Sequence, residues 1–170
     1  GTLYGRNATA GAINFISKAP VLGDFSGQQN LTFGSFSEFR SRTSVNIPFG
    51  ETAAAEITYL RVKKDGFVRN LGPGERHFGD VDRQAVRAAL IWKPIDAFEA
   101  RYTYDSSWID DTSPFGQAVP LYPAEGKLSR TASSGPFALL PGNTQVQGHN
   151  LTLTYDVSSN LTIKSITGYR

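Results

Sequence analysis

The 170-residue chain contains no cysteine, which excludes a disulfide framework, a thiolate nucleophile and a Cys-based metal site. Histidine is scarce, with His77 and His149 the only two. No pair of carboxylates stands at metal-ligand spacing around either one in the sequence, so no metal is expected. Net charge is only +2. With the basic residues spread along the chain, this gives no case for nucleic acid or an anionic surface as partner. Long apolar runs are also missing: Ala88–Trp92 and Phe137–Leu140 are about as long as they get, against the roughly 18 residues that a spanning helix needs. That excludes a helical membrane protein and leaves a transmembrane β-barrel open, because its strands are individually weak signals. Catalytic patterns are absent too. Ser106-Ser107 has no nucleophile elbow around it. The pairs Asp80/Asp82 and Asp110/Asp111 lack the EF-hand pattern. No Gly-Lys-Ser/Thr follows the early glycines. Neither an enzyme nor a cofactor is expected.

What the chain does have is period-2 alternation, the mark of strands with one apolar and one polar face. Phe39, Val45, Ile47 and Phe49 alternate with Arg40, Arg42, Ser44 and Asn46. Val86, Ala88, Leu90 and Trp92 alternate with Arg87, Ala89 and Lys93, and Ile91 is the exception. Phe98, Ala100, Tyr102, Tyr104 and Trp108 oppose Glu99, Arg101, Thr103, Asp105 and Ser107. Leu151, Leu153, Tyr155 and Val157 oppose Asn150, Thr152, Thr154 and Asp156. Three noisier segments bring the expected number of strands to seven: 25–35, 55–68 and 161–169. In 55–68 the apolar phase moves from Ile57 and Tyr59 to Leu60 and Val62, which predicts a bulge. In 161–169 it slips near Ile166.

The connections carry a second pattern. Gly50-Glu51-Thr52, Pro94-Ile95-Asp96 and Ser158-Ser159-Asn160 are short, whereas 70–83 and 110–147 are long. Only Ser35–Glu38, on the long-loop side, breaks the alternation by being short. A soluble antiparallel sandwich also alternates apolar and polar residues. Short turns at one end and long loops at the other favour an outer-membrane barrel, with turns periplasmic and loops outside. Trp92 beside an expected turn and Trp108 beside an expected loop sit where interfacial girdles belong.

Ahead of the first strand stands Gly1-Thr2-Leu3-Tyr4-Gly5-Arg6-Asn7-Ala8-Thr9-Ala10-Gly11-Ala12-Ile13-Asn14-Phe15-Ile16-Ser17-Lys18-Ala19-Pro20. This run resembles the end of the plug in TonB-dependent outer-membrane receptors, and Gly1, Leu3, Tyr4, Gly5, Arg6, Gly11, Ile13 and Asn14 carry the likeness. It departs at Ala10, where the family usually has the first Gly of a pair. Weaker likenesses follow in order: Asp65-Gly66-Phe67 with Asn70, Trp92-Lys93-Pro94, and Ser165–Tyr169. The start at Gly1-Thr2-Leu3-Tyr4 and the end at Gly168-Tyr169-Arg170 lead us to expect an internal fragment. In that fragment 1–22 would be the C-terminal end of the plug and 23–170 the N-terminal part of an antiparallel transmembrane β-barrel.

The resemblance implies active import of a scarce solute across the bacterial outer membrane, with a ferric siderophore the commonest cargo. Its implied partners are outer-membrane lipid, the small-molecule ligand and the TonB–ExbB–ExbD complex, the last acting through a TonB box upstream of this stretch. Arg76, His77 and Arg83 in the expected outer loop are candidates to hold an anionic ferric chelate by charge and hydrogen bonding. A passive porin would lack the plug motif, and a soluble carbohydrate-binding β-module would show no lipid-facing band.

Overall fold

Long alternating segments give long strands. A computed structural model describes residues 18–116 and 130–170, with strands and no helix among them. In chain order the strands are β1 (Ser26–Gly34), β2 (Glu38–Phe49), β3 (Ala53–Lys64), β4 (Val68–Asn70), β5 (His77–Phe78), β6 (Val81–Ile95), β7 (Phe98–Thr112), β8 (Thr131–Ala132), β9 (Pro141–Ser158) and β10 (Leu161–Tyr169). Seven of them form one antiparallel sheet in the order β1-β2-β3-β6-β7-β9-β10, so every long strand pairs with the next long strand in the chain. The short β5, β4 and β8 form a second sheet of three strands.

All the short turns between β2 and β3, β6 and β7, and β9 and β10 fall at one end of the meander, and the long connections fall at the other. At the turn end, Gly50 has φ 69°, a conformation glycine adopts without strain. At the loop end, Phe36 (φ 64°) and Ser37 (φ 54°) close the β1–β2 hairpin. With Gly34 opposite Glu38, the loop has three residues, and a positive φ is rare for a bulky residue such as Phe.

Register fixes the faces. Val45, Ile57, Ala88, Tyr104, His149 and Tyr169 lie in one row across the sheet. The adjacent row, Asn46, Glu56, Ala89, Thr103, Asn150 and Gly168, points the other way. One face is therefore aromatic and aliphatic and the other polar. Trp92 and Trp108 are both on the apolar face, at opposite ends. Trp108 pairs with Gln84 of β6, and from Gln84 to Trp92 the strand rises roughly 27 Å. Beyond Trp108 the same face turns charged, with Arg61 of β3 ion-paired to Asp82 of β6.

The expected bulge in β3 is absent, because its ladders to β2 and β6 run without a register shift. Leu60 and Val62 simply belong to the polar face, where Leu60 pairs with Ala85. Ile166 likewise stays in register, opposite Thr152, and the slip in β10 lies between Leu161 and Thr162. A second irregularity falls between Trp92 and Ile95, where Pro94 has no N–H to give the ladder. The strands also run further into the loops than alternation indicated: β6 starts at Val81, β7 reaches Thr112 and β9 starts at Pro141.

The core is small. Ala54, Ala89 and Ile91 are 0%, 2% and 7% exposed, and all three lie on the polar face near the turn end. On the apolar face, Phe33 is 73%, Ile57 47%, Trp92 53% and Tyr155 45% exposed, so nothing among the described residues covers it.

Candidate functional site

Two places in this sheet gather polar chemistry. The first is the polar face near the turn end, which the segment preceding β1 crosses. Leu22–Gly23 turn the chain, with Gly23 at φ 70°, and Asn46 of β2 holds the segment in place. Its side-chain oxygen accepts from Val21 N (3.0 Å), and its amide nitrogen donates to the carbonyls of Val21 (2.8 Å) and Asp24 (2.6 Å). Asn46 is 4% exposed, so these bonds replace the water that its amide has lost. Arg87 of β6 adds a bond from Nη2 to the Lys18 carbonyl (3.3 Å) and pairs through Nη1 with Glu56 (3.5 Å). Pro20 is buried, and Ile91, the exception to the alternation, is buried on the face that this segment crosses. The candidate motif residues Gly1, Leu3, Tyr4, Gly5, Arg6, Gly11, Ile13 and Asn14 lie outside the described residues.

The second place is the loop end, where two connections distant in sequence are tied together. Asn70 is the hub. Its nitrogen donates to the carbonyls of Pro73 (3.1 Å) and Glu75 (3.0 Å), and its oxygen accepts from Gly72 N (2.9 Å) and Ser134 N (3.1 Å). Leu139 closes the same unit: its N–H donates to the Pro73 carbonyl (2.9 Å) and its carbonyl accepts from Glu75 N (2.8 Å). β8 pairs in parallel with β4, so the long loop is anchored on the shorter one.

Within this unit Asp65, His77 and Asp80 converge, each presenting a metal-ligating atom within 4.8 Å of the others. His77 Nδ1 is 3.5 Å from Asp80 Oδ1. Asp80 Oδ1 accepts from Gly66 N (2.7 Å), and Asp65 Oδ2 accepts from Ser37 Oγ (2.6 Å). The backbone is equally fixed, with Thr112 Oγ1 donating to the His77 carbonyl (3.0 Å) and accepting from Asp80 N (2.7 Å). A Cβ at Gly66 would overlap the Phe78 carbonyl, so a glycine is needed there for the two strand ends to meet.

Of the three candidate loop residues, Arg76 and His77 line one cleft of about 510 Å³ at this end, together with Asp65, Asp80 and Glu75. Arg83 is elsewhere. It lies within β6 and forks onto Asp111 of β7, so its charge is already matched. Sequence spacing could not associate Asp65, just after β3, with His77 in β5; Asp65-Gly66-Phe67 and Asn70 stood out in sequence only through their family likeness. Asn46 gave no signal beyond its place on a polar face.

Comparison with protein-family models, curated proteins and solved structures finds no match to this chain.

Proposed function

We propose that this chain is part of a TonB-dependent outer-membrane receptor: the C-terminal end of a plug followed by the first strands of its barrel. Its role would be active import of a scarce solute, a ferric siderophore foremost. The observation that carries this reading is the division of labour between the two faces. The aromatic face stays bare, with a tryptophan at either limit. The polar face receives the segment that follows the plug-like motif, through Asn46 and Arg87.

In a barrel wall tilted by 35–45°, the stretch between the two tryptophans spans roughly 20 Å of membrane depth, close to the apolar band of about 25 Å in outer-membrane barrels. Lipid then supplies the missing cover. The lumen needs filling, because large barrels are otherwise open, and the plug is that filling. The loop-end unit would face the outside, where ligand arrives, and partners such as TonB–ExbB–ExbD would act from the periplasmic side.

The test is accumulation of a radiolabelled ferric siderophore by cells with and without the full-length protein, before and after a protonophore. Receptor-dependent uptake that the protonophore abolishes is expected. Uptake that survives the protonophore means a passive pore. A protein that fractionates as soluble means a β-module.

A further inference from the structure

We propose that Asp65, His77 and Asp80 form a binding site for a divalent transition-metal ion of the Zn²⁺ class, which staples the loop end of the sheet. This inference does not rest on the transport reading.

The chemistry of the three donors comes first. One imidazole and two carboxylates match the ligand set of a borderline cation, whereas Ca²⁺ and Mg²⁺ take oxygen ligands only. The geometry agrees. Ligand atoms held 2.0–2.2 Å from one Zn²⁺ in a tetrahedron are roughly 3.3–3.6 Å apart, and His77 Nδ1 stands 3.5 Å from Asp80 Oδ1. That separation is long for an N–H···O hydrogen bond and suits two atoms sharing an ion. Asp65 lies within 4.8 Å of both, and χ2 of Asp is soft enough for a modest turn of its carboxylate toward the ion.

The surroundings also fit. Ligating carboxylates are ordinarily held by outer hydrogen bonds, and here Ser37 Oγ holds Asp65 (2.6 Å) while Gly66 N holds Asp80 (2.7 Å). Five acidic side chains line the cleft against three basic ones; with Asp82 paired to Arg61 and Lys64 to Glu38, four acidic side chains still face two basic ones. The side chains of His77 and Asp80 are 24% and 23% exposed, which leaves a route for the ion and room for a fourth ligand from solvent. A bound ion would join three pieces of chain: the 77–80 segment, the residues following β3, and through Ser37 the β1–β2 turn.

The test uses the full-length, tag-free protein in detergent, titrated with ZnCl₂ by calorimetry and with Co²⁺ by visible absorption. One tight site per chain is expected, with Co²⁺ giving the ligand-field bands of a low-coordinate N/O site. His77→Ala should abolish that site. Ser37→Gly, which removes only the outer hydrogen bond and suits the positive φ, should weaken it about 10-fold. Asp110→Asn lies in the same cleft but outside the ligand set and should leave affinity within about twofold, since it removes only a long-range charge. Limited proteolysis against the parent pattern checks folding of each variant, and if His77→Ala fails to fold, Ser37→Gly decides. No Zn²⁺ binding by the parent, equal affinity in parent and Ser37→Gly, an equal loss in Asp110→Asn and Ser37→Gly, or displacement of Zn²⁺ by equimolar Ca²⁺ would each overturn the proposal.

Discussion

The Tyr102 hydroxyl and Nδ1 of His149 share a hydrogen bond of 2.7 Å across the β7–β9 ladder, on the apolar face of the sheet. Tyr104 and Tyr169 flank the same imidazole, with ring centroids 5.0 and 6.2 Å away. The Tyr102 hydroxyl and the imidazole thus satisfy each other, which lowers the cost of placing them against hydrocarbon. Thr103, one residue along, faces the opposite side beside Asn150.

From that alternation we expect Tyr102→Arg to impair assembly of the full-length receptor far more than Thr103→Arg. An arginine on the lipid side of a barrel costs about 2–4 kcal/mol near the midplane, while on the polar side water and other charges receive it. Heat-modifiable mobility of outer-membrane preparations reports the difference, and equal tolerance at the two positions would count against a membrane wall.

Asn46 makes three hydrogen bonds to the segment before β1. Asn46→Leu removes all three and leaves the backbone groups of Val21 and Asp24 to pair with water alone, a cost of roughly 1–3 kcal/mol. Local release of the segment should raise tryptic cleavage after Lys18 by at least about tenfold, without changing cleavage in the main sheet. Unchanged cleavage at Lys18 would mean that the segment is held by other contacts.

Topology is accessible through cysteine, because the chain has none of its own. Phe137, 78% exposed at the loop end, and Ser159, in the β9–β10 turn, mark opposite ends of the sheet. We expect Phe137→Cys to react with a membrane-impermeant maleimide on intact cells, and Ser159→Cys to react only after the outer membrane is breached. The reverse pattern would invert the orientation. Gly126, a natural site for an inserted tag in the same long loop, lies outside the described residues.

The sheet has two open edges, since among the described residues β1 pairs only with β2 and β10 only with β9. It also has a bare apolar face. Edges of this length and exposed aromatics drive association in water. The 170-residue chain made alone should therefore aggregate or need detergent, and should show no cooperative thermal transition. A soluble monomer with a sharp melt would favour the β-module.

The sequence by itself determined the seven long strands, their antiparallel order and the two-faced character of the sheet. These follow from local rules: side chains alternate across a strand, and short Gly-, Ser- and Asn-containing turns force neighbours to pair. It could not place Leu60, Val62 or Ile91. An apolar residue on the polar face reads as a phase error until the ladder shows β3 and β6 in unbroken register and Ile91 buried beneath the incoming segment. Tertiary structure alone decided the loop end. Asn70 bonds to Ser134, and Asp65 meets His77 and Asp80, because separate strand ends converge there. Arg83, read from sequence as a loop residue, lies within β6 and pairs with Asp111 on the neighbouring strand. Such contacts depend on through-space distance between residues remote in the chain, and strand periodicity carries no information about that.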